Sequence, residues 1–383
     1  MKTPHIVLLG PTYPYRGGNA LFMTFLYQAL VEKHRVDFIN FSMMYPKLLF
    51  PGTTPYDVSQ EHYQQVPSQR LMNSMNPFSW WQTARAINRL DPELVVFDWY
   101  QPFFGPMFYG IGLFLNRKMK RRVLFITENV ISHESRWIDK WMTRLGLTWA
   151  KAFLTLSKKV EEDIQALAGP RPVFRSELPV YGWYSKDDQL DMTRARASFG
   201  ISPDAKVLLF FGYIRHYKGL DILIEALARL RKEDPNYMLI VAGESYEDIN
   251  QYSRQIDQLG LKDHVQLHNL FIPNEAVAPY FVASDLVVLP YRSATQSGIL
   301  NMAYGFDKPV LITDVGGLSE FVDEGKTGII VDEPTPEVIA SGIRSFYASK
   351  NEIDYAVHIR ERVAGNSFDH IQEVFMEIYE VLH

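Results

Sequence analysis

The amino-acid sequence predicts an α/β protein that consists of two doubly wound, Rossmann-like domains with parallel sheets. Two observations support this fold class. Apolar runs of strand length alternate with segments of helical periodicity along the whole chain, which is the pattern of βαβ units. The chain also has 383 residues, 47% of them hydrophobic and 22% charged, which is enough for two hydrophobic cores.

The first half of the chain contains strand candidates at residues 5–10, 36–41, 94–99, 123–127 and 153–157, and helical patterns fit between them. Residues 43–77 interrupt this alternation with several prolines and no sustained periodicity. We therefore predict a long irregular insertion there, of the kind that often has a function.

The second half contains strand candidates at residues 207–213, 238–242, 265–270, 286–290, 310–313 and 328–331. A segment with several Pro and Gly residues, at positions 169–183, is expected to end the first domain and link it to the second. We therefore predict an N-terminal domain at residues 1–175, a C-terminal domain at 183–365, and a final helix at 366–383 that packs back towards the first domain.

The predicted topology indicates where ligands bind. Right-handed crossovers bring the strand C-termini of each parallel sheet to one edge, and ligands bind at the loops that lead from this edge into helices. The two edges, one in each domain, are expected to face each other across a cleft.

The composition excludes several classes of site. The sequence has no cysteine, so disulfides, thiolate metal sites and cysteine nucleophiles are excluded, and the cytoplasm is the expected compartment. The apolar run near the N-terminus is too short for the core of a signal peptide. The longest apolar stretch, residues 103–115, is shorter than the roughly 20 residues that span a bilayer, so we expect no transmembrane helix.

Charge is distributed unequally along the chain. Residues 1–180 carry 21 Lys and Arg against 14 Asp and Glu, whereas residues 181–383 carry 18 against 30. Most of the tryptophans also lie in the basic part. Cations and tryptophans together suit an anionic membrane surface, so we expect peripheral association with the inner face of the plasma membrane. The alternative is a solvated basic face above an ordinary aromatic core, and the acidic second half argues against nucleic-acid binding.

The first candidate motif is a glycine pair, Gly17 and Gly18, between the first strand and an amphipathic helix. Glycines at this position allow a ligand to approach the backbone N–H groups at the positive end of the helix. Turn glycines before a helix are also common in proteins, and the Rossmann spacing G-x-G-x-x-G is absent. The pair alone therefore leaves an ordinary turn open.

The second motif contains Gly212, Arg215, Lys218 and Gly219, between a buried strand and a helix. Two cations beside the end of a strand can neutralise a diphosphate leaving group, on which negative charge grows as a glycosidic bond breaks. The alternative is that both are solvated loop charges, which are common on protein surfaces.

The third motif is the small, polar run S-A-T-Q-S-G at residues 293–298, which follows a strand and precedes an apolar-periodic helix. Its amides and hydroxyls can bind phosphate oxygens at the N-terminus of the helix without a metal ion. The alternative is an ordinary helix start with Ser297 as its N-cap. The two interpretations are compatible, because the same free N–H groups serve both.

These motifs recur in a definite order together with VAGE at residues 241–244, DLVVLPY at 285–291, KPV at 308–310 and DVGG at 314–317. In this order and spacing the sequence resembles the retaining GT-B glycosyltransferases of family four, the glycosyl transferases group 1. The resemblance covers nearly the whole chain and is most specific in the C-terminal domain.

The resemblance implies a GT-B fold and a hexosyltransferase. The N-terminal domain would bind an acceptor, either a polysaccharide or a lipid-linked glycan, and the C-terminal domain would bind a UDP- or GDP-sugar donor. The sugar would be transferred with retention of its anomeric configuration. The nucleotide sugar is then a substrate, and neither a cofactor nor a metal ion is expected, because no acidic pair has metal-ligand spacing.

The resemblance also implies roles for particular residues. Arg215 and Lys218 would bind the donor diphosphate between the glycines Gly212 and Gly219, and Ser297 with Gly298 would bind its phosphates through backbone amides. Gly17 and Gly18 would lie near the transferred sugar. The remaining donor-binding candidates are Leu270, Phe271 and Ile272 for the nucleobase, and Tyr291 and Gln296 for hydroxyl groups.

The sequence departs from the family pattern in both domains. Members usually carry two glutamates around the start of the phosphate-binding helix, but Ala294 and Met302 occupy those positions. The donor therefore cannot be assigned from them. The histidine that often follows the corresponding N-terminal strand is replaced by Glu128. We predict that His133 is the catalytic group near the transferred sugar, with Glu128 as the second candidate and a structural imidazole as the alternative for His133.

Two other functions remain compatible with the sequence. A nucleotide-sugar epimerase of the same fold would need a positioned base and no acceptor. A sugar-binding scaffold that has lost transferase activity is also compatible, because a fold does not guarantee a function.

Overall fold

The computed structural model describes residues 3–46, 50, 52–59, 65–130, 137–180 and 190–383. The chain divides into two compact units. The N-terminal unit comprises Met1–Val58, His62–Leu178 and Ser367–His383, and the C-terminal unit comprises Pro179–Asn366 together with Ser59–Glu61. Each unit contains one parallel sheet covered by helices, which confirms the predicted fold class.

The sheet of the N-terminal unit has seven parallel strands in the order β3-β2-β1-β4-β5-β6-β7. Their bounds are His5–Leu9 (β1), Arg35–Met43 (β2), Gln69–Asn73 (β3), Leu94–Trp99 (β4), Val123–Thr127 (β5), Ala152–Thr155 (β6) and Val173–Arg175 (β7). The two edge strands correct the sequence analysis, since β3 lies in the predicted irregular insertion and β7 lies in the predicted linker. Both strands are partly exposed, so neither has the apolar run that marks a buried strand.

In the described part of this unit, six helices flank the sheet: Gly18–Val31 (α1), Pro77–Leu90 (α2), Gly105–Phe114 (α3), Trp137–Gly146 (α4), Lys158–Ala168 (α5) and Phe368–Leu382 (α13). Strand alternation divides the core into two layers. In β4, Leu94 and Val96 pack with α1 and α13 on one face, whereas Val95 and Phe97 pack with α2 and α3 on the other.

Helix α3 contains much of the longest apolar stretch of the sequence, and its core residues Met107, Phe108 and Ile111 are buried against the sheet. Its apolar character is therefore explained by packing inside the N-terminal unit. Among the described residues, none of the helices has both the length and the hydropathy to cross a bilayer.

The sheet of the C-terminal unit has six parallel strands in the order β10-β9-β8-β11-β12-β13. Their bounds are Lys206–Phe211 (β8), Tyr237–Ala242 (β9), Val265–His268 (β10), Leu286–Leu289 (β11), Val310–Thr313 (β12) and Gly328–Val331 (β13). Each corresponds to a predicted strand. The accompanying helices are Met192–Ser198 (α6), Leu220–Glu233 (α7), Asn250–Gln258 (α8), Ala278–Ala283 (α9), Gly298–Gly305 (α10), Pro336–Ser349 (α11) and Tyr355–Val363 (α12).

The strand order reverses once in each sheet, between β1 and β4 and between β8 and β11. At such a switch point the loops after the two neighbouring strands diverge to opposite faces and leave a crevice where ligands bind. In the C-terminal unit, this crevice lies between the loop that carries Arg215 and Lys218 and the loop that leads to Ser297.

Candidate functional site

The loop after β8 forms the first wall of the candidate site. A short helical turn, His216–Lys218, ends at Gly219, which has a φ of 70°. A Cβ atom on Gly219 would lie 2.1 Å from the carbonyl oxygen of Pro290, at the end of β11. Only glycine fits this backbone conformation and this close approach, so Gly219 brings the β8 loop against the β11 loop.

The Lys218 side chain projects into this wall and is only 8% exposed. Its ammonium nitrogen lies 5.6 Å from the centroid of the Tyr291 ring and would lie 3.3 Å from a Cβ atom on Gly212. Burial, together with the charge of Arg215, lowers the pKa of Lys218 to about 8. Among the described residues, no carboxylate contributes to this environment, so Lys218 is a buried cation site prepared for an anion.

Arg215 lies beside Lys218 and is partly exposed. Its guanidinium carbon lies 5.0 Å from the centroid of the Tyr246 ring, and Tyr246 stacks on Tyr213 with centroids 4.6 Å apart. Stacking on an aromatic face leaves the edge of a guanidinium group free to donate hydrogen bonds. The structure therefore brings the two predicted cations together at the carboxyl end of β8.

The loop after β11 and the start of α10 form the second wall. Ser297 occupies the N-cap position of α10, but its side chain does not cap the helix. Its hydroxyl oxygen lies 3.5 Å from the Tyr291 hydroxyl instead. A Cβ atom on Gly298 would meet no atom within 4 Å, so the space beside the first turn of α10 is open. The N–H groups of this turn can therefore bind an anion.

The DVGG turn at residues 314–317 packs against the backbone of the second wall. Gly316 has a φ of 62°, and a Cβ atom on it would lie 1.5 Å from the carbonyl oxygen of Ala294. This contact holds the backbone just before Ser297 in place. The DVGG turn, which was noted in the sequence only as part of the family pattern, thus has a structural role at the site.

Tyr291 lies beneath the site rather than on its surface, because only 2% of it is exposed. It contacts Lys218 and Ser297, and burial raises its pKa. In contrast, the side-chain oxygen of Gln296 is buried without a hydrogen-bond partner. Of the two residues considered for hydroxyl recognition, Gln296 therefore has the acceptor that a ligand hydroxyl could satisfy.

The nucleobase candidates lie at the carboxyl end of β10, which is two strands away from β8 in the sheet. Leu270 is 51% exposed and Ile272 is buried, while Phe271 is partly exposed. Ala294 and Met302, the positions of the two missing glutamates, are both buried.

Sequence reasoning missed a salt bridge that fixes the first wall. Arg292 donates to both carboxylate oxygens of Asp221, at 2.9 and 2.6 Å, and to the carbonyl oxygen of His216 at 2.7 Å. Burial favours a higher pKa for Asp221, but the hydrogen bonds and charge of Arg292 outweigh it and lower the pKa. The position of Arg292 between the DLVVLPY and SATQSG motifs could have marked it as a site residue. Its partner Asp221, however, lies 71 residues away in the sequence, so the pairing could not be read from the motifs.

In the N-terminal unit, Gly18 begins α1 after Gly17, and no side chain caps the helix. A Cβ atom on Gly18 would meet nothing within 4 Å, so this helix start is also open. His133 lies outside the described residues, and its catalytic role stays a prediction. In the part of the chain that the structure describes, no group of His, Asp and Glu side chains converges to hold a metal ion.

Comparison with known protein families assigns the C-terminal part of the chain. The family model of glycosyl transferases group 1 matches residues 191–363, which contain both walls of the site. Over these residues, the chain is similar to the glycosyl transferases group 1. The match confirms the resemblance that the motifs indicated.

Curated glycosyltransferases resemble the chain over part of their length. The chain is 34% identical over 163 residues to D-inositol 3-phosphate glycosyltransferase 1 of Catenulispora acidiphila, which covers 40% of this chain and 39% of that protein. It is 30% identical over 201 residues to D-inositol 3-phosphate glycosyltransferase of Rhodococcus opacus, which covers 50% of this chain and 44% of that protein. The aligned regions therefore span less than half of these relatives.

Solved structures resemble the chain over nearly its whole length. Sucrose-phosphate synthase from Thermosynechococcus elongatus matches with a TM-score of 0.75 at 16% identity and covers 99% of both chains. HepE of Anabaena in complex with UDP matches with a TM-score of 0.75 at 16% identity and covers 99% of this chain and 100% of that one. These similarities confirm the GT-B fold of the chain.

Proposed function

We propose that the chain is a glycosyltransferase that transfers a hexose from a nucleotide-sugar donor to an acceptor hydroxyl with retention of anomeric configuration. The observation that supports this function best is the convergence of Arg215, Lys218 and the open first turn of α10 on one crevice. Two cations and a set of free amides match the charge and the oxygen atoms of a diphosphate.

The proposed reaction breaks the bond between the anomeric carbon and the diphosphate oxygen and forms one between that carbon and the acceptor oxygen. The acceptor approaches from the face that the diphosphate leaves, and its proton passes to a phosphate oxygen. No protein nucleophile is required. Arg215, Lys218 and the α10 amides would stabilise the charge that grows on the leaving group, which is usually the largest electrostatic contribution to such catalysis.

The donor is best supported as a uridine nucleotide. HepE, which shares the fold, was solved with UDP and with UDP-glucose. In this chain, the exposed Leu270 and the partly exposed Phe271 provide an apolar surface at the carboxyl edge of the same sheet, which suits a base.

Nucleotide binding and product analysis test this function. Titration calorimetry with UDP, GDP, ADP and TDP should give one preferred nucleotide, and Arg215→Ala and Lys218→Met should each weaken its binding at least about tenfold. Arg254→Ala and Lys262→Ala are matched controls, because both cations are exposed in the same unit. Unchanged affinity in the two site variants would contradict the assignment.

Product analysis separates the alternative functions. Conversion of the donor to an isomer without acceptor would indicate an epimerase, and binding without turnover would indicate a scaffold.

We further propose that the acceptor is a lipid-linked glycan at an anionic membrane. Helices α2, α3 and α4 pack side by side in the N-terminal unit and expose large side chains to solvent. This exposed set includes Phe78, Trp81, Trp137 and Trp141, and Trp137 is 81% exposed. Aromatic side chains of this kind are enriched at the interface between lipid and water.

Cations accompany these aromatic residues. The Arg85 guanidinium carbon lies 5.3 Å from the centroid of the Trp81 ring, and Lys140 and Arg144 are exposed on α4 beside the tryptophans. A surface that combines apolar rings with cations suits an interface with anionic headgroups. This surface supports a position at the inner face of the plasma membrane.

Vesicle sedimentation tests the membrane proposal. The protein should bind vesicles that contain phosphatidylglycerol more strongly than vesicles of phosphatidylcholine alone, and added salt should weaken binding. The double substitution Trp137→Ala and Trp141→Ala should lower the bound fraction severalfold, whereas Leu259→Ala, which removes an exposed apolar side chain from the C-terminal unit, should not. Equal sedimentation of the double variant and the parent protein would contradict the proposal.

A further inference from the structure

The irregular insertion predicted at residues 43–77 does not belong entirely to the N-terminal unit. Met1–Val58 and His62–Leu178 belong to that unit, but the short segment between them, Ser59–Glu61, belongs to the C-terminal unit. Within the C-terminal unit, Ser59 contacts Asn274, which lies 215 residues further along the chain. A residue of the insertion is therefore part of the unit that carries the phosphate-binding motifs.

The contact between Ser59 and Asn274 is buried and involves two donors. The Ser59 hydroxyl oxygen accepts hydrogen bonds from the backbone N–H of Asn274 at 3.0 Å and from its side-chain amide nitrogen at 2.9 Å. Each of the two residues is 8% exposed. Because a buried N–H group is costly to leave without an acceptor, the Ser59 hydroxyl stabilises the conformation of Asn274.

The Ser59 hydroxyl takes the place of a helix cap. Asn274 is the first residue of a short helical turn, Asn274–Ala276, and Pro273, the residue before it, has no polar side chain and provides no cap. The first N–H groups of a helical turn have no acceptor within the turn, and the oxygen of a serine side chain is one of their usual partners. Ser59 supplies this oxygen from a distant part of the sequence.

The turn at Asn274 ends the loop that carries the nucleobase candidates, residues 270–272. At its other end, next to β10, the loop is held by a hydrogen bond of 2.8 Å from the backbone N–H of Ser245 to the side-chain oxygen of Asn269. The loop is thus attached to the β9 loop at one end and to Ser59 at the other.

We propose that Ser59 is a positioning residue for the donor nucleobase, which acts through Asn274 on the loop at residues 270–272. A loop that is held at both ends loses less conformational freedom when a ligand binds, so more of the interaction free energy contributes to affinity. Ser59 itself does not contact the base. The insertion thereby influences the choice of nucleotide, although the cations and the α10 amides lie on other loops.

This inference rests on the proposed function, because it requires a nucleotide whose base lies at residues 270–272. The two proposals fail separately. Inorganic pyrophosphate can contact Arg215, Lys218 and the α10 amides but has no base, so its binding tests the phosphate groups alone. Binding of a nucleoside diphosphate adds the contribution of the loop, and hydrogen exchange of the free protein tests the loop without a ligand.

Hydrogen–deuterium exchange of the free protein tests whether Ser59 fixes the loop. In Ser59→Ala, the backbone N–H of Asn274 loses this acceptor, so a peptide that covers residues 270–276 should exchange about fivefold faster than in the parent protein. A peptide that covers the DVGG turn should be unchanged. Ser341→Ala, the same substitution at an exposed position of α11, should change neither peptide. Equal exchange of residues 270–276 in Ser59→Ala and the parent protein would overturn the proposal.

Titration calorimetry tests the effect on the ligand, with whichever of UDP, GDP, ADP and TDP binds most tightly. Ser59→Ala should weaken its binding about five- to tenfold, the factor that corresponds to the loss of one or two hydrogen bonds, and should leave binding of inorganic pyrophosphate unchanged. The preference over the other three nucleotides should narrow. Lys218→Met should instead weaken binding of both ligands. If Ser59→Ala weakened binding of both ligands equally, or of neither, a role in base binding would be excluded.

A conservative variant and a double-variant cycle separate positioning from a purely structural role. Ser59→Thr keeps the hydroxyl and should restore most of the nucleotide affinity. Ser59→Ala should raise the donor KM with little change in kcat and in Tm. In Asn274→Ala, which has lost the side-chain donor, Ser59→Ala should weaken nucleotide binding by a smaller factor than in the parent protein. Independent effects of the two substitutions, or a lower Tm with an unchanged KM, would show that Ser59 only stabilises the fold.

Discussion

At the scale of single residues, Lys218 shows that the candidate site is not optimised for stability. Its folded-state pKa of about 8 lies below the ordinary value of 10.5. The unfolded chain therefore binds more protons than the folded chain between these two pH values, and the folded state gains stability as pH rises through this interval. Below pH 8, burial of the charged ammonium group lowers the free energy of unfolding by its full cost, on the order of 3 kcal/mol.

We therefore expect Lys218→Met to stabilise the free protein at pH 7 and to abolish most of its diphosphate binding. The free energy of unfolding, from urea titration, should rise by about 1–3 kcal/mol at pH 7, and the gain should shrink towards pH 10.5. Lys262→Met, at an exposed position, should change neither stability nor binding. A destabilised Lys218→Met protein would show that the ammonium group has a partner that favours its charge.

Diphosphate binding should also take up a proton. A bound anion favours the charged form of Lys218 and raises its pKa, so binding above pH 8 requires protonation and weakens as pH rises further. Calorimetric titrations at pH 8.5 in two buffers with different ionisation enthalpies should give different heats in the parent protein and the same heat in Lys218→Met. Buffer-independent heats in the parent protein would argue against a neutral Lys218 in the free site.

Asp285 represents the opposite case, a buried charge that is fully paired. Arg196 and Tyr347 each donate to its carboxylate at 3.0 Å, and Lys350 lies 3.0 Å from its other oxygen. Asp285→Ala should lower the free energy of unfolding by about 3–5 kcal/mol, because Arg196 would remain buried without its partner. Asp248→Ala, at an exposed ion pair, should cost less than about 1 kcal/mol in the same urea titration. Similar losses in the two variants would refute this distinction.

The sequence located the residues of the site that belong to local motifs, but not those that depend on distant contacts. Arg215, Lys218, Ser297 and Gly298 follow strand ends in recognisable loops, and the structure brings them to one crevice. Asp221 was not singled out, because nothing in the local sequence shows that it pairs with Arg292, 71 residues further along the chain.

At the scale of elements, the first wall depends on a connection between two loops. The fork of Arg292 binds Asp221, in the first turn of α7, and its Nη1 also binds the carbonyl oxygen of His216 in the turn that carries Lys218. The backbone N–H of Arg292 in turn donates to the carbonyl oxygen of Tyr217 at 2.7 Å. The β11 loop thereby fixes the backbone that positions Lys218.

Arg292→Lys should therefore impair donor binding without contact between residue 292 and the donor. A lysine keeps the charge but cannot donate to both carboxylate oxygens of Asp221, so the turn at His216–Lys218 should become more mobile. The donor KM should then rise about tenfold, with a small change in kcat and in Tm. Arg254→Lys is the matched control, since Arg254 is exposed in the same unit. A large fall in kcat with unchanged KM would indicate direct participation in the reaction instead.

The elements themselves were predictable where they are buried. The inner strands β4 to β6, β8, β9, β11 and β12 have apolar runs because both faces of a parallel sheet are covered. Among the edge strands, β3 and β7 were missed because they are partly exposed and lack an apolar run, whereas β13, which is mostly buried, and the partly buried β10 were predicted. Sequence patterns thus report burial more directly than they report hydrogen bonding.

At the scale of the whole molecule, the C-terminal end of the chain folds into the N-terminal unit. Helix α13, at the C-terminus, packs against α1 in the N-terminal unit. Its buried face consists of Ile371, Val374, Phe375 and Ile378, which lie in one core with strand residues such as Leu8 and Val96. The last helix of the sequence is therefore part of the N-terminal unit, and Pro179–Asn366, which precedes it, belongs to the C-terminal unit.

Phe375→Ala should therefore destabilise the N-terminal unit selectively. Phe375 is 1% exposed, and truncation of a buried phenylalanine costs about 3–5 kcal/mol. Calorimetric unfolding of this variant should show two transitions, and the N-terminal unit should unfold in the earlier one. The preferred nucleoside diphosphate should still raise the temperature of the later transition, because the cations and the α10 amides belong to the C-terminal unit. Val381→Ala, at an exposed position of the same helix, should leave both transitions in place. If Phe375→Ala lowered the nucleotide-sensitive transition to the same extent, α13 would stabilise both units equally, and the assignment of this helix to the N-terminal core would be wrong.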